Sequence, residues 1–442
     1  MARLDWIASL TLLATLTACG TTDPVLGDDP EVPSDDDTTP VDEPAEHCGE
    51  RATPDATQEE LDINARADLE LGVTLLGALP EPEDDNVLVS PYSLRMAFGQ
   101  VYAGTQGASQ PEIESIFGFS ELGERSHAVL NAVTQELESR NAEATEERPE
   151  LIVRPINRSF FDLAYEDSVG DQWLATVQSF YGTCIEVLDL NTDQEAALEH
   201  VNGWVSDQTN GLIPNLVKFL PEYAALIVVN AFYLKAAWSV PFEESRTHDG
   251  TFATWSGSTV AVEMMHEPFH QGRYAEQEGW QAVSLPYTDG RLEMVVILPA
   301  TGTDAAFAEA LDADQLESIL DQMSHATVDL TLPKFDLTST WGLRNTLMAL
   351  GMQAAFENGE DFSPIAAGMM PIFEVFHDVA IVIDEKGTEA AAATAVVFGE
   401  DGGEEPFAEA TVVVDHTFYL AIRDQQAGAL LFLARVGDPS AS

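Results

Sequence analysis

The chain has 442 residues, 45% of them hydrophobic, enough to bury a large core and long enough for two or three domains. Its 76 acidic residues against 19 basic ones give a formal net charge of -57, and only four of the basic residues are lysine. A surface of that sign repels nucleic acid and anionic lipid, which argues against both as partners. It suits a saline or extracellular setting, where salt screens the self-repulsion, and it equally suits plain solubility.

In chain order, the first element is MARLDWIASLTLLATLTACGTTDP. One arginine precedes an apolar run from Trp6 to Ala18. That run is too short to span a bilayer as a mature helix, so residues 1–18 read as a secretory signal peptide, with Asp5 an unusual acid in its charged region. The run ends Leu16-Thr17-Ala18-Cys19-Gly20, and small residues before a cysteine resemble the bacterial lipobox, where the cysteine carries lipid and becomes the new N-terminus. The expected product is an exported lipoprotein anchored through Cys19 at the cell envelope or surface; ordinary secretion is the alternative. Residues 19–59 are acidic and rich in Pro and Thr, with too few apolar side chains to pack, and are assigned to a disordered tether. The calcium-loop pattern Asp-x-Asp-x-Asp-Gly is absent from it. Export favours oxidation, so Cys48 and Cys184 either pair and pin the tether's end to the domain or are two unrelated thiols.

From about Leu61 to Pro439 no repeat and no second linker appears. Apolar spacing of three and four predicts a helix in LDINARADLELGVTLLGAL. Ser90 as cap and Pro91 in a first turn predict a helix in PYSLRMAFGQVYAG, and TDQEAALEHVNGWVSDQTNG reads as a helix ended by Gly211. Strand-like runs follow: ALIVVNAFYL, WQAVSLPY, RLEMVVILPA, TVDLTLPKF, VAIVI, TVVVDHTFYLAIRD and ALLFLARV. Their apolar content predicts large, well-covered sheets, with helices mainly in the first half, an α+β pattern.

One catalytic motif needs weighing. His266 to His270 read HEPFH, which matches the zinc-protease pattern H-E-x-x-H. That chemistry needs both imidazoles one turn apart on a helix, and Pro268 inside the turn breaks it. A nucleophile elbow and phosphate-binding glycine loops are absent from the sequence. Asn157-Arg158-Ser159 is formally a glycosylation acceptor, but it lies in the apolar run INRSFFDL and reads as structural.

The stretch Asp384–Phe407, DEKGTEAAAATAVVFGEDGGEEPF, carries no charge between Glu389 and Glu400. By propensity alone, its alanines favour an exposed helix or linker. At a period of two, however, Thr388, Ala390, Ala392, Thr394, Val396 and Phe398 form one uncharged face, and the other face carries only Glu389 as a charge.

Several separate stretches resemble one family, the serpins, over nearly everything from Leu61 to Pro439. They are NVLVSPYSLRMAF, VNGWVSDQTNGLI, VVNAFYLKAAWSVPF, LPKFDL, LGM with AAF, DFSPI, DEKGTEAAAATA, VVDHTFYLAIRD and ALLFLARVGDP, in serpin order. The resemblance implies one large α+β domain over residues 60–442, with helices packed on three β-sheets, a large central sheet and an exposed reactive loop at about residues 385–411. It implies a monomer without cofactor or metal, an inhibitor rather than an enzyme, whose partner is an endopeptidase of the serine class or, secondarily, the cysteine class. The protease cleaves the loop, becomes acylated, and is trapped as the freed loop half inserts into the central sheet as a new strand. A non-inhibitory binding protein on the same scaffold is the alternative.

On this resemblance the loop hinge is Glu385, Lys386, Gly387, Thr388, Glu389, Ala390, Ala391, Ala392 and Ala393, which lacks the bulky, charged or Pro substitutions expected of non-inhibitory members. Ser90, Ser93, Asn230 and His377 match polar positions beneath the centre of the sheet, and Trp238 matches a position near its top, where insertion begins. Family loop spacing places the reactive bond at Asp401-Gly402, with Glu400 and Phe398 as alternatives, because GGEEPFAEATVVVDHTF runs several residues longer than expected. The acidic choices imply a protease with a basic specificity pocket, and Phe398 a chymotrypsin-like or subtilisin-like one.

Overall fold

The computed structural model describes residues 46–47, 49–82, 85–145, 149–388 and 408–441, all within the unit Pro44–Ser442. First come the two-residue strand β1 (Glu46–His47) and the 21-residue helix α1 (Gln58–Ala78). The helix starts before the Leu61 expected from periodicity because Thr57 and Glu60 form a reciprocal capping box, with Glu60 N donating to Thr57 Oγ1 at 3.3 Å and Thr57 N to Glu60 Oε2 at 2.9 Å. Then follow β2 (Val87–Val89), α2 (Pro91–Tyr102) capped by Ser90, α3 (Ser109–Ile116), α4 (Arg125–Glu138), β3 (Ile152–Asp162), α5 (Asp171–Tyr181), β4 (Cys184–Leu188) and α6 (Gln194–Gln208). The second half is mostly strand: β5 (Leu226–Ala237), β6 (His248–Ala253), β7 (Thr259–Gln277), β8 (Trp280–Pro286), β9 (Leu292–Pro299), then α7 (Asp304–Ala310) and α8 (Ala313–Gln322). Last come β10 (Ser324–Pro333), β11 (Phe335–Gly342), α9 (Arg344–Ala349), α10 (Ala354–Glu357), β12 (Phe376–Ile383), β13 (Gly387–Thr388), β14 (Ala410–Val413), β15 (Phe418–Asp424) and β16 (Leu430–Val436).

The strands form two hydrogen-bonded sheets. Sheet A has seven strands in the order β1-β4-β3-β5-β13-β12-β11. Sheet B has nine, in the order β14-β10-β7-β8-β9-β15-β16-β2, with β6 also on β7. The α+β architecture with one large central sheet is therefore as the sequence implied. The second and third expected sheets run together because the 19-residue β7 pairs with β6 at one end and β8 at the other.

The main core lies between the sheets. Phe232, Leu234 and Ala236 of β5 and Val379, Ile381 and Ile383 of β12 face it. Tyr92 of α2 meets Phe232 edge-on at 5.5 Å, and Phe232 meets Phe432 of β16 at 5.7 Å. The other face of β5, with Val229, Ala231 and Tyr233, packs with Val201 and Val205 of α6. β9 and β16 are buried at every residue, as central covered strands must be. β11 alternates buried and exposed. The Arg95–Asp68 ion pair, 2.7 Å and fully buried, locks α2 to α1.

Candidate functional site

Sheet A has a gap. β5 pairs with β3 from Ile152↔Lys235 to Phe161↔Leu226, and β12 pairs with β11 from Phe335↔Ile383 to Gly342↔Phe376. Among the described residues, only β13 intervenes between β5 and β12: Gly387 pairs with Ala237, Thr388 with Ala236 and with Ile383. Beyond this plug, the facing edges of β5 and β12 have no ladder partner among the described residues, which leaves a template for an added strand. The far end of the gap opens into a cavity of about 360 Å³ lined by residues that include Ser93, Phe98, Val229, Asn230, Phe373 and His377.

The plug is held from every side. Asp384 Oδ1 accepts the backbone N–H of Lys386 at 2.7 Å and of Gly387 at 3.1 Å, an Asx-type turn. Gly387 has φ 154, and a Cβ there would lie 2.0 Å from the Ala236 carbonyl oxygen, so glycine is required. Trp238 donates from Nε1 to Asp384 O at 2.9 Å and from its backbone N to Lys386 O at 2.8 Å. Its ring stacks on Tyr287 at 4.6 Å, and the Tyr287 hydroxyl shares a 2.5 Å hydrogen bond with Thr388 Oγ1. Thr388 is only 2% exposed. Glu385 accepts from Thr247 Oγ1 at 2.8 Å and pairs with Lys334 at 3.2 Å. Burial resists ionisation of Glu385, but the Thr247 hydroxyl and the Lys334 ammonium outweigh it and hold the carboxyl below its ordinary value. Lys386 turns outward to Glu244 at 3.2 Å.

Beneath the gap lies a polar chain. Ser90 Oγ caps α2 by accepting from Ser93 N at 3.3 Å, and Ser90 N donates to His377 Nε2 at 3.0 Å. Ser93 Oγ donates to Asn230 Oδ1, and Asn230 Nδ2 to Asn157 Oδ1 at 2.6 Å. Gln100 Nε2 reaches the same Asn157 oxygen at 3.3 Å, and Thr183 Oγ1 donates to Gln100 Oε1 at 2.7 Å. The chain thus ties α2 to β3, β5 and β12 across the line along which the sheet would part. The sequence reading singled out Ser90, Ser93, Asn230, His377 and Trp238. It missed Tyr287, Thr247, Asn157 and Gln100. Lys334 had a signal, as one of four lysines in a very acidic chain.

Burial holds the His377 imidazole at about 3. Its Nε2 must accept a hydrogen bond, so the folded state needs the neutral ring. The unfolded ring takes a proton near the ordinary imidazole value of 6.5, so stability is full above that pH and is lost as pH falls towards 3. His377→Gln is therefore expected to lose less stability than the parent between pH 7 and pH 5, by on the order of 2 kcal/mol in urea unfolding. Equal losses would show that His377 does not carry the acid response.

The remaining expected residues fall in three groups. Glu389 to Ala393, the reactive-bond candidates Phe398, Glu400, Asp401 and Gly402, and the cysteines Cys19 and Cys48 lie outside the described residues. Cys184 is disulfide-bonded. His266 and His270 lie on the strand β7 rather than on a helix. His266 Nε2 meets Asp329 Oδ1 at 2.8 Å, while His270 is buried with Nε2 on the Ser284 carbonyl at 2.8 Å. Residues 49–57, which composition placed in the tether, contact the folded domain: Ala52 N donates to Ser179 O at 2.7 Å and Arg51 bonds Glu138 at 2.7 Å.

Residues 66–439 match the family model described as Serpin (serine protease inhibitor). A serpin-like protein of Thermococcus kodakarensis is 33% identical over 357 residues, 80% of this chain and 81% of its own. Leukocyte elastase inhibitor of Homo sapiens is 28% identical over 369 residues, 80% of this chain and 93% of its own. Among solved structures, the thermophilic serpin tengpin in its native state superposes with a TM-score of 0.74 at 23% identity, covering 88% of this chain and 97% of that one. Thyroxine-binding globulin complexed with thyroxine gives 0.72 at 25% identity, with 86% and 99% covered. With the family model matched over most of the sequence and the same fold in both solved relatives, the chain belongs to the serpin family.

Proposed function

We propose that this serpin is a suicide-substrate inhibitor of endopeptidases, of the serine class first and the cysteine class second. The observation that carries the reading is the gap in sheet A, closed at one end by two residues of the loop's own hinge. Continuing the Thr388–Ala236 register sets Ala390, Ala392, Thr394, Val396 and Phe398 against Leu234, Phe232, Asn230, Val228 and Leu226. This is the core-facing parity, and it is uncharged throughout. On the other face Glu389 falls opposite Lys235, a favourable charge pair, and Ala391, Ala393 and Ala395 fall opposite Tyr233, Ala231 and Val229 beneath α6. Small side chains there let the strand pass without displacing the helix.

The same register supports the choice of reactive bond. β5 begins at Leu226, opposite Phe398. A bond at Asp401-Gly402 leaves a few residues to lead from a fully formed strand to the attached protease. A bond at Phe398 leaves none.

The test is a panel of glutamyl endopeptidase, chymotrypsin and subtilisin. The expected result is an SDS-resistant complex with the glutamyl enzyme and a released C-terminal fragment that begins at Gly402. Clean cleavage, with full protease activity and no complex, would overturn inhibition of those targets. A second reading, a binding protein on the same scaffold, is favoured by the likeness to thyroxine-binding globulin and by the apolar cavity. A thermal melt separates the two. An inserted strand with ladder bonds on both sides, at about 1 kcal/mol each, adds on the order of 10 kcal/mol, whereas a non-inserting binder gains nothing on cleavage.

Residues 1–18 as signal peptide and Cys19 as the lipidated N-terminus complete the proposal, with the inhibitor held at the cell envelope or surface. The disulfide at Cys184 supports an oxidising compartment. Cys19→Ala should release the protein into the medium.

A further inference from the structure

The described residues expose six large apolar side chains, and four of them, Phe219, Tyr223, Met370 and Phe373, gather at the mouth of the cavity at the far end of the gap. An apolar cluster of that kind on a surface otherwise rich in acid marks an interaction site. Phe219 stands edge-on to Phe373 at 5.8 Å and to Phe376 of β12 at 5.4 Å. Tyr223 takes a φ of 69, a left-handed backbone that non-glycine residues seldom adopt and that collects at ligand clamps. Further in, the wall includes Phe98, Phe362 and Ile365, all buried. The volume of about 360 Å³ falls in the range of small-molecule sites, about 300–1,000 Å³.

The wall also carries a positive charge with donors to spare. Arg344, the first residue of α9, is half-buried, and its guanidinium lies over the Phe356 ring at 4.8 Å. The hydrogen bonds of that guanidinium among the described residues go to carbonyl oxygens: Nη1 to Ile372 O at 3.0 Å and Phe373 O at 2.6 Å, and Nη2 to Phe356 O at 3.4 Å. That leaves Nε–H and one Nη2–H, on the edge of the fork that holds a carboxylate by two bonds. The carboxylates of the same wall are placed elsewhere. Glu374 accepts the backbone N–H groups of Arg344 and Val375, each at 2.9 Å, and Glu222 is exposed.

We propose that this cavity binds one amphipathic carboxylate, its apolar body among Phe98, Phe362 and Ile365 and its anionic end on Arg344, and that the filled cavity resists the parting of β5 and β12. The net charge of -57 opposes any anion at long range, but salt screens that field beyond about 8 Å, whereas the guanidinium acts at contact. The resistance to parting rests on the strand-insertion reading above. Val229 and Asn230 of β5 line one side of the cavity and His377 of β12 the other. Phe219 lies on the segment that leads into β5, and its edge-on contacts with Phe373 and Phe376 already bridge the two sides at the mouth. An added strand must widen the space between β5 and β12 by about 4.8 Å, and a molecule that touches both walls then loses one of them.

The experiment uses the full chain and three probes with the same alkyl chain and different head groups: laurate, dodecanol and dodecylammonium. Calorimetric titration should show one laurate per chain, with the alcohol and the ammonium each about tenfold weaker or worse. Arg344→Gln should weaken laurate about tenfold and leave dodecanol unchanged. The head-group comparison on the parent keeps the test decisive if that variant folds poorly. No laurate binding, or equal affinity for laurate and either of the other probes, overturns the site. Laurate-saturated parent is then mixed with whichever protease of the panel forms the complex. It should yield more cleaved product and less SDS-resistant complex than the parent alone, and Arg344→Gln should not respond to laurate at the same concentration. An unchanged or lower yield of product, with complex still formed, overturns the resistance to parting and leaves the insertion reading intact. No complex with or without laurate, and no rise in melting temperature on loop cleavage, overturns the insertion reading and the resistance with it, while the titration still decides the site.

Discussion

Replacing Thr388 by arginine is expected to turn the protein from a trap into a plain substrate of its target protease. Thr388 is the last described residue of the hinge and already lies between Ala236 and Ile383, nearly fully buried, with its hydroxyl on Tyr287. An arginine there must be taken out of water without a partner, at a cost of several kcal/mol. The side chain cannot join the core-facing row with Phe232 and Leu234, so the plug leaves the sheet and insertion stalls at its first step. The attached protease then has time to hydrolyse the acyl bond. The measurement is the ratio of SDS-resistant complex to cleaved product at equimolar mixing, with a melt of the cleaved product beside it. The arginine variant should give product only, with no gain in melting temperature. Thr388→Ser keeps the hydroxyl and should behave as the parent. An arginine variant that still traps the protease would refute insertion through this gap.

Glu385→Lys is expected to have the second largest effect, on the stability of the uncleaved form. The parent carboxylate accepts from Thr247 and pairs with Lys334, and the backbone of the same residue accepts from Phe242 N at 2.9 Å. The substitution removes the acceptor, places two ammonium groups together in a mostly buried site, and should cost roughly 2–4 kcal/mol. The site lies where β12 turns into β13, so the damage loosens the closed end of the gap rather than the core. The expected result is a lower urea midpoint and a sheet that more readily accepts a foreign strand, read as polymers on warming. The double variant Glu385→Lys, Lys334→Glu restores opposite charges and should recover part of the loss. An unchanged midpoint in the single variant would show that the Glu385–Lys334 contact contributes nothing to keeping the gap closed.

Much of this site was legible in the sequence, and the rest was not, for identifiable reasons. Helix α1 and strands β5, β9, β12 and β16 are long and strongly patterned, so periodicity finds them. Gly387 and the uncharged alternation after it announce an extended segment that needs one clean face. Tyr287, Thr247 and Lys334 are distant in sequence from Glu385 and Thr388 and meet them only because β8, β10 and the chain beyond β5 converge on one end of sheet A. Asn157 is a case in point. It matches a sugar-acceptor triplet only formally, and its apolar run marks it as structural, but only the fold shows its role, as the oxygen that joins Asn230 to Gln100. The HEPFH motif is the converse case. Spacing alone resembles a metal site, and Pro268 already argued against the helix that site needs. The observed strand leaves His266 half-buried beside Asp329 and sends His270 into the core.

What the sequence determined by itself was the family, the order of the elements and the parity of the loop, because these depend on local residue choice and on spacing along the chain. What only the tertiary structure decided was that a gap stands between β5 and β12, that two hinge residues close one end of it, and that an N-terminal strand lies on the opposite edge of the same sheet. Whether two strands touch or stand apart depends on the packing of everything between them. No window of residues encodes that, and so the space the loop would fill became visible only once the whole chain was folded.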